Sequence, residues 1–152
     1  MGTSMEGPTA ALWNALLRVT RLRFDARGDT WTGTGHGTVT VEAPAPEVIT
    51  FTEAGNWRAP SGTEFAFNNV FRWSLTGPEQ VRLEHLRFGP DNPVVLFDVA
   101  PTDGGGWAPV SPHVCVKDCY DAELRVLADG VWVGWTVTGP KKRERIEYTY
   151  QW

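Results

Sequence analysis

His113, Cys115, Asp118 and Tyr120 stand in the spacing H-x-C-x-x-D-x-Y, the densest set of reactive side chains in the chain. A cysteine beside a histidine can be activated as a nucleophile or can ligate a metal. Histidine, aspartate and tyrosine can each move a proton on a bound substrate. On an extended strand, His113, Cys115, Lys117 and Cys119 face one way, and Asp118 and Tyr120 face the other with Val114 and Val116. A bulge between Cys115 and Asp118 would bring all four reactive groups to one side. No C-x-x-C pair accompanies them, so no metal site is expected. The plainer alternative, which we favour, has Asp118 and Tyr120 hydrogen-bonded inside the protein and Cys115 packed as a small hydrophobe.

A second constellation is His85 with Arg87, which share a face with Val81 and Leu83. Turned inward, the pair makes one polar point in an apolar interior. Arginine supplies a fixed cation there and histidine a donor tunable near neutral pH, a combination that suits a carboxylate or phenolate. Turned outward, the pair is merely solvated, but Arg82 and Glu84 would then point inward at a cost. That asymmetry favours His85 inside. Phe65, Phe67, Asn69, Phe71 and Trp73 form the clearest aromatic stripe, with Asn69 as its hydrogen-bonding member. They either line a cavity, together with Trp135, or simply fill a core.

His36 lies on a threonine-rich face and is expected to be exposed and inert. Lys141, Lys142, Arg143 and Arg145 form a basic cluster after Gly139-Pro140. They could attract an anion to a barrel mouth. The favoured alternative packs one cation on an aromatic ring, such as Trp13, to close one end. The P-loop, nucleophile-elbow and zinc-protease motifs are all absent, which removes those common chemistries without excluding an enzyme.

The elements that must hold these groups are strands. Alternation marks strands over 17–24, 30–42, 48–53, 65–73, 81–88, 113–126, 131–138 and 143–152, and a short continuous apolar run marks one covered on both sides over 94–99, with glycine and proline at the turns. Gly33, Gly35 and Gly37 share one face with Trp31, Val39 and Val41, a device for a bend or a close approach. Which face of that strand points inward stays open. Residues 9–16 are the one helical candidate, with Leu12, Trp13 and Leu16 at helical spacing. Many strands joined by tight turns favour an up-and-down barrel.

A chain of 152 residues is one domain and buries a core without staples. Its 12% aromatic content suits a strand-built protein with a large apolar interior. A net charge of −4 argues against nucleic acid. Cys115 and Cys119 would sit roughly 13 Å apart on one strand, too far to pair unless the strand breaks. With no leader-like or membrane-spanning apolar run, a reduced, cytoplasmic protein is expected. Residues 1–8 are expected to be a disordered or expression-derived tail, and 9–152 the single barrel domain.

The C-terminal third resembles an uncharacterised family of small bacterial and fungal proteins. Their pattern is H-x-C-x-x-D-x-Y followed by W-x-V-x-G-P-R/K-K and a tyrosine-containing strand. Here it is carried by His113, Cys115, Asp118, Tyr120, Trp135, Val137, Gly139, Pro140, Lys141 and Lys142. Phe71-Arg72-Trp73 and Leu83-Glu84-His85-Leu86-Arg87 fit the family's middle strands, and the N-terminal strand departs most. The resemblance implies a calycin-like barrel, related in architecture to lipocalins and fatty-acid-binding proteins, and by analogy a small apolar ligand.

The expectation is therefore an all-β, antiparallel up-and-down calycin-like barrel of about 8–10 strands with a short N-terminal helix. Its first function is binding a small, mostly apolar molecule, one that can be acidic. Phe65, Phe67, Asn69, Phe71, Trp73 and Trp135 would contact that ligand, and His85, Arg87 and Tyr120 would orient it. The alternatives are an isomerase- or cyclase-type enzyme using His85, His113, Asp118 and Tyr120, and a protein–protein module with an open edge strand. No cofactor, nucleic acid or membrane partner is expected, and a homodimer is allowed.

Overall fold

In the computed structural model the chain closes into a ten-stranded barrel capped by one helix. The structure describes residues 7–29, 32–110, 119–140 and 143–152, and for Tyr120 the backbone alone. The elements are α1 (Gly7–Arg18), β1 (Arg21–Gly28), β2 (Gly33–Ala45), β3 (Val48–Arg58), β4 (Glu64–Gly77) and β5 (Gln80–His85). They continue with β6 (Val94–Pro101), β7 (Trp107–Pro109), β8 (Cys119–Leu127), β9 (Gly130–Thr138) and β10 (Arg143–Gln151). Each strand pairs antiparallel with the next, and β1 also pairs with β10, which closes the sheet. The β7–β8 seam is the weakest, with Trp107 and Leu124 as its one pair among the described residues.

Parity sets the interior. Leu22, Phe24 and Ala26 of β1, Ile49 and Phe51 of β3, Phe71 and Trp73 of β4, and Val131, Val133 and Trp135 of β9 all point inward. The open question about the glycine strand is settled by crowding. Gly33, Gly35 and Gly37 face inward, and His36 is exposed on the outer face. A Cβ at Gly35 would lie 2.3 Å from the Phe24 ring, and one at Gly37 2.4 Å from the Ala54 carbonyl oxygen. Glycine thus lets β1 and β3 close tightly against β2.

The helix plugs one end. Leu12, Trp13, Ala15 and Leu16 are buried on its inner face, and the Thr9 hydroxyl donates to the Pro78 carbonyl at 3.0 Å. The Arg18 guanidinium sits 4.2 Å from the centre of the Trp152 ring, a cation–π contact that ties the helix end to the C-terminus. This corrects the expected closing role of the basic cluster. The described members of that cluster stand where β10 begins, and β10 begins at the end of the barrel remote from α1. Arg143 is exposed there, and Arg145 lies 5.8 Å from the Trp132 ring and donates to Thr136. Lys141 and Lys142 lie outside the described residues.

Other departures have local causes. The helix spans Gly7–Arg18 and so takes Leu17, which alternation had assigned to a strand. Strand β7 was missed because it is three residues long and follows a glycine loop; its Trp107 alone is buried. Cys119 is disulfide-bonded, which corrects the expectation of two reduced thiols. That expectation assumed one extended strand across 113–126, whereas β8 begins at Cys119. Residues 113–118, with Cys115, lie outside the described residues. No described helix is long and apolar enough to cross a membrane.

Candidate functional site

Away from the helical plug, the barrel interior is hollow. A cavity of about 470 Å³, half open to solvent, is bordered by side chains from seven strands and one loop. Strand β4 contributes Phe67, Asn69 and Phe71, and β9 contributes Trp135 and Val137. Strand β10 adds Glu144, Ile146 and Tyr148, and β1, β3 and β6 add Phe24, Trp57 and Leu96. His85 ends β5, and Arg87 follows in the next loop.

The inward turn of His85 follows from what its neighbours do outside. Arg72 pairs with Glu84 at 2.9 Å, and Arg82 pairs with Asp98 at 2.8 Å, so the charged alternates of β5 form a ladder on the outer face. Leu83 and His85 are left to the interior. The His85 ring packs edge-on against Phe71, with centroids 4.8 Å apart, and its Nε2 lies 3.2 Å from Asn69 Oδ1. Opposite an amide oxygen, the Nε2–H tautomer is the one that makes a hydrogen bond. Nδ1 is buried without a partner among the described residues, as is Nε1 of Trp135. Burial, and then the nearby Arg87 charge, lower the proton affinity of His85, so the ring is neutral at physiological pH.

One layer below the cavity sits a group that the sequence analysis did not single out. Glu53 is fully buried and faces Asn69 across the β3/β4 register. Its Oε2 accepts a hydrogen bond of 2.6 Å from the Tyr150 hydroxyl, while Oε1 has no full hydrogen bond. Burial pushes the Glu53 carboxyl up to about 7, and hydrogen bonding from Tyr150 and, more loosely, from Asn69 pulls the other way. Burial and then the Glu53 charge push Tyr148 and Tyr150 upward, so both phenols stay protonated. Tyr150, Glu53, Asn69 and His85 thus form a polar line from the core to the cavity wall. The signal for Glu53 was parity: it follows Ile49 and Phe51 on the same face of the strand. Tyr148 and Tyr150 were marked the same way, by alternation with Ile146.

The residues expected to meet a ligand divide three ways. Phe67, Asn69, Phe71, His85, Arg87 and Trp135 border this cavity. Phe65 is instead 45% exposed at the rim and stacks on Trp57 at 4.7 Å. Trp73 lies in the packed floor against Phe51 and Phe97, away from the cavity. His113 and Asp118 lie outside the described residues, as does the side chain of Tyr120. Among the described residues no cluster of three or more potential metal ligands occurs.

Fold and site together define a closed β-barrel with a half-open interior cavity. The chain belongs to the family of unknown function DUF6314, whose model matches residues 15–152. No curated protein matches it. Among solved structures it is similar to a de novo designed fluorescence-activating β-barrel. The two share 14% identity over 91% of this chain and 96% of that one, with a TM-score of 0.45.

Proposed function

We propose that the barrel binds one small, mostly apolar molecule in its open half, as calycin-like barrels do. The observation that carries this reading is the cavity. Its 470 Å³ falls in the range of about 300–1,000 Å³ typical of small-molecule sites. Aromatic walls with a few convergent polar groups are the usual make-up of such a site. Phe67, Phe71, Trp57 and Trp135 supply apolar surface, and Asn69 and His85 supply a polar point on the wall. Arg87 stands at the mouth, makes no ion pair among the described residues, and suits the acidic end of a ligand.

Acid–base turnover of a hydrophobic metabolite is the second reading. The neutral imidazole of His85 at the wall favours it, because such a group can take a proton from a bound substrate. The partner proposed is the small molecule alone. The cytoplasmic placement drawn from the sequence loses one support, since a disulfide-bonded Cys119 suits an oxidising compartment better.

Native mass spectrometry of gently purified protein, beside a denatured control, tests the binding reading. The expected result is an added mass that disappears on denaturation. A bare protein mass, combined with no uptake of added 2-naphthoate, would overturn it. Conversion of the released molecule on incubation with fresh protein would favour the enzyme.

A further inference from the structure

We propose that the ligand is an apolar glycoside: its apolar part fills the cavity, and its sugar lies in a polar groove on the outer side of the same rim. This builds on the binding reading above and adds a head group to it.

Strand order brings the groove to the mouth. β2 begins, β3 ends and β4 begins at the open end of the barrel. The groove is lined there by Thr34 and His36 of β2, Asn56 and Arg58 of β3, and Glu64 of β4, all exposed. Register sets His36 opposite Asn56, Thr34 opposite Arg58, and Arg58 opposite Glu64. Such groups stand about 5 Å apart across a sheet and about 7 Å apart along a strand. A sugar ring with its hydroxyls can bridge that grid. The outer face of a barrel is convex and holds no volume of its own. Here about 300 Å³ is enclosed, and the groove is no more open to solvent than the cavity. That volume stands at the lower end of the range for small-molecule sites.

The polar groups in the groove are uncommitted. The side chains of Thr34, His36 and Asn56 make no hydrogen bond among the described residues. Each can both donate and accept, as a sugar hydroxyl can. Arg58 holds Glu64 at 2.7 Å through one nitrogen and one oxygen, which leaves further donors and a second acceptor unused. Charge points the same way. Arg58 is balanced by Glu64, and on β1 Arg23, opposite His36, is balanced by Asp25, opposite Thr34. An anion would need an excess of donors and positive charge, whereas this mixed, balanced set suits an uncharged polyol.

Trp57 joins the two spaces. Its side chain borders both the groove and the cavity, and the half-exposed Phe65 stacks on it at 4.7 Å. A ligand that crosses this aromatic pair passes from an apolar interior to a polar exterior without leaving the protein surface.

The test has two arms. In the first, methyl β-D-glucoside and methyl β-D-galactoside are titrated at millimolar concentration, and the NMR signals of the Asn56 side-chain amide and the His36 ring are followed. Saturable shifts with at least one sugar are expected, and fixed signals with both would overturn the groove. In the second, calorimetry compares 2-naphthyl β-D-glucoside with 2-methoxynaphthalene, which shares the ring system and lacks the sugar. The glucoside should bind at least about tenfold more tightly, and Asn56→Ala should reduce that ratio about fivefold, the effect of one hydrogen bond. Equal affinities in the wild type, or a ratio unchanged in Asn56→Ala, would overturn the proposal. If neither naphthalene compound binds, the binding reading falls with the glycoside, and the first arm still decides whether the groove takes a sugar.

Discussion

A carboxyl group at the floor of an apolar barrel loses its hydration, and one phenol hydroxyl restores only part of it. Glu53 therefore holds its proton up to about pH 7, against 4.5 for an ordinary glutamate. Because the folded state binds this proton more tightly than the unfolded chain, the sign of the linkage is fixed. The stability that Glu53 contributes is full below about pH 4.5, falls as pH rises, and is gone above about pH 7. Thermal melts of the wild type and Glu53→Gln should agree near pH 4.5 and diverge above it. The variant should be the more stable at high pH, by on the order of 3 kcal/mol. His85 titrates in both proteins and cancels in the comparison. A second residue-scale expectation concerns the mouth. Arg87→Ala should weaken binding of 2-naphthoate roughly tenfold and leave uncharged probes nearly unaffected, as calorimetry would show. Strand alternation alone pointed to the stripe from Phe67 to Phe71 and to His85. The same alternation sets Glu53 on the face of Ile49 and Phe51, but the sequence reading did not place it inside. A charged residue at a strand end nevertheless reads as solvated, and only closure of the sheet opposite Tyr150 shows that it is not.

At the scale of elements, two features shape the interior. The first is the glycine row of β2, where absent side chains let neighbouring strands and rings approach. Gly37→Ala should cost about 1–3 kcal/mol in urea unfolding, because the new methyl group meets a backbone carbonyl that cannot swing aside. Gly77→Ala is the internal control. Its Cβ would meet only Gln80 at 3.8 Å, and a change within about 0.5 kcal/mol is expected. The second feature is the plug. Trp13 is 2% exposed within the cap formed by α1, and Trp13→Ala should cost about 3–5 kcal/mol by the same measurement. Most strands were legible because period-two alternation is strong when one face is buried. β7 escaped because three residues carry no period. The reach of α1 to Arg18 escaped because Leu17 fits both a helix and a strand.

For the molecule as a whole, the two ends of the barrel differ in kind. Helix α1, with the Arg18–Trp152 contact, closes one end, and the strands splay their aromatic residues around a hollow at the other. The barrel class was legible from the count and spacing of strands. The hollow was not, because the same aromatic stripe serves a filled core or a lined cavity until the strands are closed and the helix is placed. The central claim is that this hollow receives a ligand. Ile146, partly buried on the cavity wall, offers a way to fill it without disturbing the packed floor. Titration calorimetry with 2-naphthoate should show saturable one-to-one binding to the wild type. Binding to Ile146→Trp, at an unchanged melting temperature, should be at least about tenfold weaker. Equal binding to both proteins, or none to the wild type, would contradict the account.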